Sequence, residues 1–164
     1  MAVKIDVDGL EKLNNTLTQL GEKAQGSAAK GLYEGAGIMA ESVNRAAETI
    51  VTAPFGGKKS HRFPSPEEKA IVTNAGALGI AKFDKSDGDV QTSVGYGNKG
   101  YAMLGGKRKP VPLIAYAINS GTSFMPKQPF IRRGANAGKQ SAVEKIEEVI
   151  LEEFEKITGE EKTT

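Results

Sequence analysis

Residues 115–135 read AYAINSGTSFMPKQPFIRRGA: an apolar run that stops at a glycine, crosses two prolines and ends on a phenylalanine beside two arginines. Gly121 permits a turn closed to residues that carry a side chain, and Thr122 can bond to its own backbone there. Pro126 and Pro129 fix φ and remove donors, so Phe124 to Ile131 is expected on an extended, edge-like path. That path presents Phe130 as a buried anchor for a C-terminal helix. Ala142, Val143, Ile146, Val149, Ile150, Phe154 and Ile157 share one face of that helix, opposite Glu144, Glu147, Glu148, Glu152 and Glu155. Glu152 and Lys156 are a favourable i,i+4 pair on it. The stretch therefore joins a preceding sheet to an amphipathic helix.

Upstream of it, Ala77 to Phe83 and Asp89 to Tyr96 are two expected strands, with Lys85-Ser86-Asp87-Gly88 supplying a hairpin turn. From about Lys69 onward the pattern is one of strands. Pro112 to Ser120 is too short for periodicity to decide between helix and strand. Two basic loops flank these elements, near residues 55–67 and 97–110. They hold Lys58, Lys59 and Arg62 in the first, and Lys107, Arg108 and Lys109 in the second.

At the N-terminus, Val3 to Val7 alternates with period two and reads as a short strand. Asp8 and Glu11 then form a capping-box pattern, Leu10, Leu13, Leu17 and Leu20 line one helical stripe, and Gly21 is a natural stop. A second helix carries Ala28, Leu32, Ala36, Met39, Val43, Ala46 and Ile50 and ends before Pro54. It contains Gly26, Gly31, Gly35 and Gly37, each costing about 1 kcal/mol relative to Ala inside a helix. Either the helix bends or breaks near Gly35 to Gly37, or the missing side chains admit a close neighbour.

The whole is expected to be one α+β domain over residues 1–158, with a flexible tail at 159–164. A small, mainly antiparallel sheet packs against a long N-terminal helical region and the C-terminal helix. Leu, Ile, Val and Phe make 36 of 164 residues, so the core is thin, and 20 glycines add to that. Some burial is therefore expected from neighbouring subunits.

The chain has no cysteine, which excludes disulfides, thiolate metal sites and thiol nucleophiles. No signal peptide is expected from Met-Ala-Val-Lys-Ile-Asp, and the longest apolar run, residues 111–118, is too short to span a membrane. Gly95-Tyr96-Gly97-Asn98-Lys99-Gly100 fits a dinucleotide fingerprint in letters, but Gly105, Gly106 and Pro110 leave no room for the required helix. Gly56-Gly57-Lys58-Lys59-Ser60 lacks the first glycine of a P-loop. His61, the sole imidazole, sits in a basic loop without an adjacent acid, and reads as a solvated side chain. No cofactor, metal or catalytic device is expected.

Charge is unevenly distributed. Residues 1–52 carry net −2, residues 53–140 net +9 and residues 141–164 net −5, within an overall +2. The pattern suits a nucleic-acid footprint, complementarity between identical subunits, or two solvated surfaces of unlike sign.

The 115–135 stretch resembles the tail-completion, or neck, family of long-tailed double-stranded-DNA phages. In that family a Tyr-Ala segment leads to Gly-Thr, then Pro-x-x-Pro-Phe and an Arg entering an amphipathic C-terminal helix. Here these are Tyr116-Ala117, Gly121-Thr122, Pro126 to Phe130, then Ile131 and Arg132. The N-terminal strand, the helices ending in Ala53-Pro54 and the Gly76-Ala77-Leu78 opening of the strands keep the family order. Asn119 stands where the family often has an acid, Arg133 where it often has proline, and Phe55 to Val72 looks inserted.

The resemblance implies a non-enzymatic virion protein, in the host cytoplasm during assembly and in the neck or tail afterwards. It would form a ring of six or twelve copies joining neck to tail tube, with DNA passing through. Its partners would be itself and the adjacent neck, tail-terminator and tail-tube proteins. The basic residues Lys58, Lys59, Arg62, Lys107, Arg108 and Lys109 would meet adjacent rings or lie near the DNA. A sequence-nonspecific nucleic-acid-binding module and the neighbouring tail-terminator protein are the alternative readings.

Overall fold

A computed structural model of the chain describes residues 8–53, 62–74, 76–83, 90–97 and 100–160. The fold is α+β. Its frame is two long helices, α1 (Asp8–Glu48) and α4 (Phe130–Glu160), which pack along each other in antiparallel sense. Between them in sequence lie α2 (Pro66–Thr73), β1 (Leu78–Ile80), β2 (Val94–Tyr96), β3 (Tyr101–Leu104), β4 (Lys107–Pro110) and α3 (Val111–Ser120).

Helix α1 is one continuous element: it neither stops at Gly21 nor breaks at Gly35 to Gly37. Gly31 and Gly35 instead face α4. A Cβ on Gly31 would lie 3.1 Å from the Ile146 carbonyl oxygen, and one on Gly35 would lie 2.5 Å from Ile146 Cγ1. Helix α4 answers with Gly134 and Gly138, which sit on Val43 and Ser42 of α1. The Ser42 hydroxyl donates to the Gly134 carbonyl at 2.9 Å. Of the two readings of these glycines, close packing holds, and the neighbour is the chain's own last helix. Gly26 and Gly37 meet nothing within 4 Å.

The β elements form two separate two-stranded antiparallel sheets, not one. Strands β1 and β2 pair in the register Leu78↔Tyr96, Gly79↔Gly95 and Ile80↔Val94, within the two expected strands; the expected turn lies outside the described residues. The 97–110 segment is a second hairpin over most of its length, with Tyr101↔Pro110 and Leu104↔Lys107 at its ends. Gly105 and Gly106 turn it, with φ of 57° and 74°. Two successive positive φ values match the twist of a tight hairpin turn.

Helix α2 replaces the expected loop and the strand pattern expected from about Lys69. Helix α2 starts at Ser65, whose hydroxyl accepts from the Glu68 N–H while the Glu68 carboxylate accepts from the Ser65 N–H. The signal Ser-Pro-Glu-Glu was in the sequence, hidden by the basic, proline-rich surroundings. Helix α3 resolves the open choice for residues 112–120. Helix α4 runs to Glu160, past the expected start of the tail, and the expected N-terminal strand lies outside the described residues.

The core gathers at one end of the long helices. Val43, Ala47 and Ile50 of α1 meet Val72, Leu104, Ile114, Ala115, Ile118, Met125 and Phe130, with Phe130 and Ile118 fully buried. The Tyr96 ring packs edge-on to Phe130, and its hydroxyl donates to the Val72 carbonyl at 3.1 Å. Burial pushes that phenol up to about 12.

We call this end the head. The other end is an arm formed by α1 up to Gly35 and α4 beyond Ala142, where the buried positions are small: Ser27, Gly31, Gly35 and Ala142, with Val149. No helix among the described residues is long and apolar enough to cross a membrane.

Candidate interaction surfaces

Between α3 and α4 the chain forms a fixed elbow. Gly121 ends α3 with φ 77° and ψ 173°, and its N–H donates to Ala117 O at 3.0 Å. A Cβ there would lie 2.9 Å from Lys127 N and Met125 O, so glycine is required by both conformation and space. Thr122 and Met125 exchange backbone hydrogen bonds, and Thr122 Oγ1 accepts from the Phe124 N–H at 3.2 Å.

Pro126, Pro129, Thr122 and Arg132 are exposed, whereas Ile131 packs against the core beside Phe130. The path is not an edge strand. Residues 121–129 form an irregular loop, and Phe130 and Ile131 begin α4.

Two polar contacts without a signal in the sequence hold the elbow. Asn119 Oδ1 accepts from the Ile131 N–H at 3.2 Å, satisfying one of the orphan donors at the start of α4. A neutral amide oxygen suffices for this. Gln128 pairs with the backbone of Val51: its Oε1 accepts from the Val51 N–H at 2.8 Å and its Nε2 donates to Val51 O at 2.9 Å. This side chain ties the elbow to the end of α1.

The basic candidates separate. Lys58 and Lys59 lie outside the described residues, as does His61. Arg62 forms a two-pronged pair with Glu68, with Nη1–Oε2 and Nη2–Oε1 both at 2.7 Å, and its N–H donates to Phe124 O at 2.7 Å. Burial would push the Glu68 carboxyl up, but Arg62 and the Ser65 N–H outweigh it and hold it below its ordinary value. Arg62 thus serves this chain's own fold.

Lys107, Arg108 and Lys109 lie on β4, where alternate side chains point to opposite faces. Lys107 and Lys109 share the face of buried Leu104, and Lys109 is half-buried on the side of Glu68. Arg108 points the other way, with Met103 opposite it and Tyr101 diagonal to it. Its guanidinium carbon lies 4.5 Å from the Tyr101 ring centroid, a cation–π contact that fixes the fork over the sheet. Tyr101 and Met103 are exposed, the latter by 66%. The three basic residues do not form one patch; one of them sits in an apolar, outward-facing platform.

Further exposed apolar side chains lie on α3 (Leu113, Tyr116) and at the elbow (Phe124). On the arm, Leu151 is 64% exposed on the face of α4 opposite α1, among the exposed Glu144, Glu147 and Glu148. An apolar groove of about 290 Å³ lies where α1, α4 and β2 meet, lined by Leu32, Met39, Val94, Ile131 and Ile146. Among the described residues no titratable side chain lines it. Among the described residues no three His, Asp or Glu side chains converge to hold a metal.

The chain has no match among family models, curated proteins or solved structures.

Proposed function

We propose that this chain is a structural, non-enzymatic subunit of the head–tail connector of a long-tailed double-stranded-DNA phage. In this reading it is a neck, or tail-completion, protein that assembles with copies of itself into a ring between neck and tail tube, leaving a passage for DNA. The observation that supports it best is the polarity of the molecule. A basic head and an acidic arm, each with large apolar side chains exposed, are parts of one elongated body. Unlike surfaces on one subunit suit a heterologous, head-to-tail interface, the kind that closes into a ring.

Closure also demands a fixed angle between the two surfaces. The glycine seam between α1 and α4 brings two helix backbones into contact, and the Gly121 to Phe130 elbow clamps α4 to the core. Such a strut resists hinging because packed interiors do not deform continuously. The resemblance of residues 115–135 supplies the family name, and those residues act here by fixing the fold.

Light scattering and electron microscopy of the purified chain test the proposal. Closed rings with a central opening are expected. DNA contact, if the basic residues line the opening, should be weak, sequence-independent and steeply reduced by salt. A monomer that binds duplex DNA tightly at physiological salt would overturn the ring reading in favour of a nucleic-acid-binding module.

A further inference from the structure

We infer that the outward face of the β3–β4 hairpin docks on the outward face of α4 in a second copy of this chain, with Arg108, Tyr101 and Met103 of one subunit covering Leu151, Glu147 and Glu148 of the next. The inference rests on the ring reading and names the contact that would build the ring.

Two anomalies motivate it, and they match. Helix α4 needs its apolar residues toward α1, and Ala142, Ile146, Val149 and Ile150 supply them. Leu151 lies near the centre of the opposite face, where a long solvated helix calls for a polar residue. Exposed carboxylates precede it on the same face: Glu147 and Glu148 one turn before, the latter paired with Lys145 at 2.8 Å, and Glu144 two turns before. The hairpin has the complementary chemistry. Its core-facing side is satisfied by Leu104, yet its outer side carries Met103 and Tyr101 with a single cation between them. Stacking on Tyr101 holds the Arg108 fork in place before any partner arrives, so less side-chain freedom is lost on pairing with a carboxylate.

Apolar surface with a positioned guanidinium therefore meets apolar surface rimmed by carboxylates. The two patches belong to different ends of the molecule. The hairpin packs on α2 and α3 in the head, whereas α4 beyond Ala142 lies along α1 in the arm. A single chain therefore presents one patch at each end, and each copy can give one contact and take one.

The absence of cysteine makes the test clean. Met103→Cys and Leu151→Cys replace exposed side chains, so neither should disturb folding. Under mild oxidation the doubly substituted chain is expected to give a ladder of covalent multimers ending at the ring size. An equal mixture of the two singly substituted chains is expected to give dimers joining one of each, and either alone no cross-linked dimer.

Arg108→Glu and Glu147→Arg should each weaken assembly at least tenfold, and the two together in one chain should recover it. Rings that assemble without 103–151 cross-links would overturn this contact and leave the ring reading standing. So would cross-links between identical positions. A chain that stays monomeric at every attainable concentration would overturn both.

Discussion

The head and the arm are built from the same two helices by different means. In the head, Phe130, Ile50, Ile118 and Val72 fill the space between the long helices and the smaller elements packed on them, and the polar links at Gln128, Asn119 and Glu68 fasten loops over it. From Gly134 out along the arm the two helices close up on glycine and small residues, with ion pairs only on the surface. Glu153 accepts from both Lys30 and Lys156 at 2.7 Å, and the two lysines pull its carboxyl down to about 2. A large-residue core is damaged by truncation, which leaves a cavity, whereas a glycine seam is damaged by addition, which forces the backbones apart. A thin core overall is thus compatible with a well-defined fold, because half of the frame needs contact distance more than volume.

The contrast can be broken first at Phe130. Phe130→Ala removes the largest fully buried side chain and is expected to cost about 3–5 kcal/mol, read as a lowered urea midpoint. Gly134→Ala comes next. Its new methyl would fall on the Val43 backbone, so the helices must separate, at about 1–3 kcal/mol by the same measurement. A cost near zero would mean that the seam can open without loss, and that core and seam do not differ in the way described.

Glu68→Gln should cost about 1–3 kcal/mol at neutral pH, because the Arg62 fork and the Ser65 N–H lose a buried charged acceptor. The depressed carboxyl fixes the sign with pH. Its stabilisation is complete above the ordinary value of 4.5 and is lost as pH falls through the lower folded value, so wild type and variant should converge in acid. Urea melts at pH 7 and pH 3 check this. The smallest effect has the opposite sign: Gly37→Ala, where nothing lies within 4 Å, should stabilise by up to about 1 kcal/mol, read as a raised melting temperature.

Several elements were legible because their signals are local. The α4 face, the β1–β2 pairing segments and the positive-φ glycine at 121 each depend on a few adjacent residues. So did α2, in principle: Ser65, Pro66 and Glu68 spell a capped helix start, but the basic and proline-rich flank suggested a loop. The interaction surfaces were less legible. Lys107, Arg108 and Lys109 read as one basic loop until the strand pairing set Arg108 against the other two. Gln128 carried no signal at all, since its partner, the Val51 backbone, is 77 residues away.

By itself the sequence determined the periodic faces, the rigid turn chemistry and the segregation of charge into a basic middle and an acidic end. These depend on residue type and on spacing within a few turns of chain. Only the tertiary structure decided that α1 runs through Gly21, that its glycines meet those of α4, and that the hairpins form two sheets. The reason is that a glycine's cost inside a helix is local, while what offsets it is a neighbour far along the chain. Which side of a strand faces solvent is likewise settled by what covers the other side, and that is a property of the packed molecule.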